Sequence, residues 1–277
     1  MNLMEIFSYG FMQRALLGGI LIGMPCAVLG VFLVLRRLSL IGDGLAHVTF
    51  GGVAVALLLR VTPPLVTLAA IPLVLAASLG ILRLADRARI YGDTAIGIVS
   101  AAGIAGGILI ASVAGGFNID LFSYLFGNIL AVSPAELALC AGLFLVVLAV
   151  VIAFYPQLFA LTFDEELART AGIRTERLNA LLVLLTAVAV VLAMKVVGIL
   201  LVSALLILPA ATALQLARGF RTTLLAAALT AAASVAAGIV ASFLVNLPSG
   251  ATIVLVNLGL FLLAFALKSL RSAPTPR

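Results

Sequence analysis

Charge is scarce in this chain. Asp, Glu, Lys and Arg make up 9% of its 277 residues while 65% are apolar, against about 25% charged in a soluble domain. With a mean hydropathy of +1.35, that ratio excludes a water-soluble globular protein and leaves an integral membrane protein. Cysteine is nearly absent. Cys26 and Cys140 lie far apart in apolar runs, with neither zinc-ligand spacing nor a disulfide framework, and read as small buried hydrophobes. Lysine occurs only as Lys195, after Met194, and Lys268, after Leu267. Neither follows a glycine, so the phosphate-cradling Gly-Lys-Ser/Thr loop is missing, and any pumping would draw on an ion gradient or a separate nucleotide-hydrolysing subunit. The net charge of +6 is spread between apolar runs rather than gathered in a patch, which fits membrane orientation and no nucleic-acid partner.

What is present is apolar length. A span needs roughly 20 residues at ~1.5 Å rise, and nine candidates fit, at about 11–35, 39–59, 63–82, 92–113, 134–155, 178–195, 197–217, 222–245 and 250–267. These predict an all-α polytopic bundle of about nine transmembrane helices, or eight if 178–217 breaks differently. The first run is too long for a signal peptide and lacks a small-residue cleavage site, so it counts as structure. The segment 114–133 is broken by Gly, Asn and Asp and reads as an outer loop with a short interfacial or re-entrant helix. No repeat or low-complexity linker divides the chain, so 1–277 reads as one transmembrane domain. With the amino terminus outside, 13 of the 16 Lys and Arg residues fall on the inner side, leaving Arg14, Arg60 and Lys195 outside. The carboxyl terminus is then cytoplasmic. Gly19 with Gly23 and Gly103 with Gly107 form small-xxx-small pairs that permit close helix approach, and Pro25, Pro72 and Pro209 interrupt their spans.

The only histidine, His47, follows Asp43 by four residues in LIGDGLAHVTFGGVA, residues 40–54. At that spacing both side chains share one helix face, and Gly44 and Gly51 on the same stripe are expected to leave space beside them. Ionisable groups at membrane depth are costly and by default mark a pathway or an ion site. Imidazole with carboxylate suits Zn²⁺, Fe²⁺ or Mn²⁺ better than Na⁺ or an organic solute. Two other readings stand beside this one: Asp43 as a helix N-cap with a hydrogen-bonded core histidine behind it, or a proton relay. One pair supplies two ligands where zinc takes four, and a homodimer about a two-fold axis would bring two Asp and two His together.

The longest internal polar stretch is YPQLFALTFDEELARTAGIRTERLNA, residues 155–180. Thr162 with Glu165 reads as a capping box. Asp164, Glu165 and Glu166 suit the positive end of a helix dipole, and Gly172 is a natural stop. This predicts a short capped helix on the inner side, either a solvated connector or a surface for another protein.

GDGLAH (42–47), YLFGNILAVSP (124–134) and AMKVVGILLVSALLILPAATA (193–213) together resemble the membrane permeases of bacterial metal-ion ABC importers, closest to the zinc-uptake branch. The resemblance runs from about residue 14 to 267. It implies a homodimer in the inner (plasma) membrane, two cytoplasmic ATP-binding subunits and an extracytoplasmic metal-binding protein. The permease itself would be a transport subunit rather than an enzyme, with no permanent cofactor and a transported metal ion. Asp43 and His47 match the family's G-D-x-x-[Ala/Ser]-H motif, which is implicated in the metal path. The stretch Asp164, Glu165, Glu166, Ala168 to Gly172, within about 156–177, matches the loop that such permeases insert into the ATPase. Thr49-Phe50-Gly51-Gly52 departs from the Pro-containing version of many manganese-type relatives, which leans toward zinc over manganese or iron(II). A gradient-driven secondary carrier fits less well, because no inverted repeat is visible; so does a sensor without flux. SYLFGN (123–128) is the candidate outer gate.

Overall fold

The computed structural model describes residues 9–62, 65–114 and 132–272, all helix or short connections with no strand among them. The helices are α1 (Gly10–Leu35), α2 (Ile41–Leu58), α3 (Val66–Ala88), α4 (Gly92–Val113), α5 (Pro134–Ala153), α6 (Tyr155–Phe163), α7 (Glu165–Thr170), α8 (Thr175–Val197), α9 (Ile199–Leu216), α10 (Phe220–Val245) and α11 (Ser249–Ser272). Eight of them are long and apolar enough to cross a membrane, and α9 contributes a shorter apolar helix. They coincide with the nine runs read from hydropathy. The break between the sixth and seventh falls at Gly198, whose φ of +84° is a conformation that L side chains rarely adopt. The loop helix expected in 114–133 and the gate SYLFGN lie outside the described residues, except for the margins at 114, 132 and 133.

Local chemistry sets the ends. Ser133 caps α5: its Oγ accepts from the Glu136 N–H at 3.2 Å and the Glu136 carboxylate accepts from the Ser133 N–H at 2.8 Å. With Pro134 in the first turn, this is a reciprocal capping box. Glu136 also meets Lys195, at the end of α8, at 2.6 Å. Asp93, in the first turn of α4, stays exposed.

Helix α1 is the hub, packed against α10, α9, α5 and α8, while α2 lies between α4 and α3 with α8 and α9 behind it. Most of α1, α2 and α8 is buried, whereas α4 buries only Ala95, Ile96 and Gly107. Where α4 crosses α2 the backbones nearly touch. A Cβ on Gly103 would sit 2.7 Å from the Cα of Val48, and one on Gly51 would sit 2.6 Å from the Gly103 carbonyl oxygen. The small pair Gly103–Gly107 therefore works as the sequence suggested. Gly44 and Gly51 do not. Rather than leaving room beside Asp43 and His47, they are covered by α4, with Ile96 against Gly44.

Candidate metal site and the capped loop helix

Helix α2 starts at Leu40 as N-cap, with no side-chain cap bond, and Asp43 is already its third residue. The N-cap reading of Asp43 is therefore incorrect, although its charge still sits favourably in the first turn. One turn on, His47 Nε2 lies 3.6 Å from Asp43 Oδ2. That is a charge-pair distance and too long for a hydrogen bond, so the satisfied core histidine is not what forms. The two side chains retain 28% (His47) and 51% (Asp43) of their exposure. The pair is thus open along one edge of α2 rather than sealed in packing.

A third group reaches the same edge. Ser203 on α9 donates its hydroxyl to Asp43 Oδ1 at 3.3 Å, and sequence reasoning did not single it out. Imidazole nitrogen and carboxylate form a mixed donor pair able to meet a divalent ion without enclosing it, and the Ser203 hydroxyl holds the carboxylate from the other side. Among the described residues, no group of three or more His, Cys, Asp or Glu is placed so that it could hold a metal ion. Glu136 is occupied by Lys195, and Asp120 lies outside the described residues.

The capped loop helix is α7, with one correction, at its amino-terminal end. Thr162 is not the cap: α6 runs on to Phe163, and the Thr162 hydroxyl donates to the Leu158 carbonyl at 2.6 Å within it. Asp164 takes the role, in extended backbone, its Oδ1 accepting from the Leu167 N–H at 2.9 Å. Glu165 faces inward. Its carboxylate accepts from Arg36 at 2.7 Å and from the Asn179 side-chain amide at 2.9 Å, and Arg36 also donates to Asn179 Oδ1. Burial lowers the pKa of the Arg36 guanidinium, and the neighbouring Glu165 charge pushes it back up. Glu166 is exposed, and Ala168 is buried. At the other end Gly172 has φ +82°. Its N–H reaches the Arg169 carbonyl while that of Ile173 reaches Ala168, each at 3.0 Å, the paired closure of a Schellman motif.

Comparison with known proteins bears on this arrangement. Residues 8–268 match the model of the ABC 3 transport family. The manganese transport system membrane protein MntC of Halalkalibacterium halodurans is 38% identical over 94% of this chain and 88% of its own length. The high-affinity zinc uptake system membrane protein ZnuB of Haemophilus influenzae is 32% identical over 90% of this chain and 95% of its own. Among solved structures, PsaBC from Streptococcus pneumoniae in complex with Fab superimposes with a TM-score of 0.84 at 33% identity, covering 95% of each chain.

Proposed function

The chain belongs to the ABC 3 transport family as a multi-pass membrane permease of a metal-ion ABC importer, and we propose that its cargo passes beside Asp43 and His47 by alternating access. The observation that carries this reading is the partial exposure of two ionisable side chains on a helix otherwise apolar and packed. A transit site has to release its ion, so few and weak ligands suit it better than a closed four-ligand cage.

We take manganese as the primary cargo, and zinc, expected from the sequence, as the second. The Asp43 carboxylate, held by the Ser203 hydroxyl, is an oxygen ligand of the kind manganese takes, and the MntC likeness points the same way. The ZnuB likeness supports zinc. Two copies of the chain would bring two Asp43–His47 pairs to one axis. Two ATP-binding subunits would press on α7 from the cytoplasm, and a soluble metal-binding protein would deliver the ion outside. In this scheme the whole chain acts as one permease domain, with its amino terminus outside and its carboxyl terminus cytoplasmic. Asp164, Glu166 and Gly172 shape the surface that the ATPase meets, and Glu165 and the buried Ala168 anchor it from beneath.

The test is uptake of radiolabelled manganese and zinc in cells lacking their own importer and supplied with the intact system. His47→Ala and Asp43→Asn should each cut uptake at least ~10-fold, the order expected for removing one of very few ligands or its partner, at unchanged membrane levels. Uptake equal to wild type in both variants overturns the route, and an excess of one cold ion that alone suppresses uptake identifies the cargo.

A further inference from the structure

We propose that a groove between α1, α5 and α10 binds one anionic phospholipid, with an acyl chain against its apolar walls and the phosphate on Arg221. Helices α5 and α10 both pack on α1 but not closely on one another, which leaves a cavity of about 600 Å³ along the hub. That is within the ~300–1,000 Å³ of pockets that hold a small organic molecule. Pro25 and Val28 line the α1 side, Leu148 and Val151 one flank, and Leu225 and Ala228 the other. Leu225 and Ile152, which also line it, are 66% and 68% exposed. On membrane-spanning helices, such an opening faces acyl chains.

The lining contains a single charged residue, Arg221. It is exposed, its guanidinium lies over the Tyr155 ring with the central carbon 5.0 Å from the centroid, and no described carboxylate pairs with it. The ring holds the cation at the end of the groove and leaves its planar fork of donors free. That geometry matches a phosphate, which accepts two parallel N–H bonds. Tyr155 packs with Phe159 and Phe220 and follows the end of α5 at Ala153, and tyrosine is enriched at the headgroup level. Apolar walls that end in one cation at that depth fit a lipid of the leaflet in which Arg221 stands. The proposal requires only that the helices span the membrane, so it stands whichever ion is carried.

Native mass spectrometry of the full-length protein, purified with its ATPase partner and titrated with phosphatidylglycerol or phosphatidylcholine, tests it. Wild type should retain one phosphatidylglycerol per protomer at least 5-fold more strongly than phosphatidylcholine. Arg221→Gln should abolish that preference, Ala228→Phe should reduce binding of both lipids by filling the groove, and Arg14→Gln should behave as wild type. Equal retention of the two lipids by wild type, or retention unchanged in Arg221→Gln, overturns the proposal. So does displacement of the bound lipid by millimolar inorganic phosphate, since the site would then take the free anion. Arg221 is exposed and outside the packed core, so its variant folds even where Ala228→Phe does not.

Discussion

Ser203 shows why one member of the candidate site was invisible in the sequence and two were not. A carboxylate and an imidazole in an apolar run are conspicuous because the membrane penalises them. A hydroxyl is cheap there, since it can bond to its own helix. Thr49, Thr186 and Thr212 do so, donating to Leu45, Leu182 and Leu208 at 2.7–2.8 Å. Nothing local distinguishes Ser203 from them. Only the packing of α9 on α2 turns its hydroxyl across to Asp43. If that bond orients the carboxylate, Ser203→Ala should lower uptake about 5-fold, the equivalent of about 1 kcal/mol for one hydrogen bond to a charged group at a partly open site. Ser203→Thr should retain most of the activity. An alanine variant as active as wild type, at equal membrane levels, would reduce Ser203 to a bystander.

At the scale of elements, the existence of α7 was legible and its anchoring was not. The pattern Thr162-x-x-Glu165 has the form of a capping box, but α6 extends one residue past Thr162, which makes Asp164 the cap. Glu165 is then drawn 129 residues back along the chain to Arg36, a pairing that no sequence window contains. The clamp joins α7 to the end of α1 and the start of α8. A push on α7 therefore reaches two long buried helices directly. Arg36 keeps 12% of its side-chain exposure and Glu165 36%, so removing the guanidinium should cost about 1–3 kcal/mol, less than breaking a fully buried pair. Arg36→Ala should lower the thermal unfolding midpoint of the detergent-solubilised importer. It should also reduce the ions moved per ATP several-fold while hydrolysis persists. Arg36→Lys should restore only part of this, because a single ammonium cannot fork to Glu165 and Asn179 together. A normal transport-to-hydrolysis ratio in Arg36→Ala would make the clamp purely structural.

At the scale of the molecule, hydropathy located the spans, while the order in which they pack came from shape. Nothing in composition says that α1 is the hub or that α4 lies at the margin. The margin matters for the copy number. Gly97, Ala101 and Ala105 recur at i, i+4 on an exposed stripe of α4, and a Cβ on Gly97 would meet nothing within 4 Å. Small residues facing outward waste contact with lipid but allow a second helix to come close. A protomer that offers one Asp43–His47 pair gains a fuller ligand set from a second copy. If α4 supplies that contact, Gly97→Leu should leave the fold of the protomer intact, shift the particle from dimer toward monomer, and lower manganese uptake with it. Gly103→Leu should instead damage the protomer, since its side chain would enter the backbone of α2 at Val48. Mass photometry in detergent, read beside the unfolding midpoint, separates the two effects. A Gly97→Leu protein that remains dimeric and transports normally would require the second copy to dock elsewhere, and would remove α4 from the argument that brings the two pairs together.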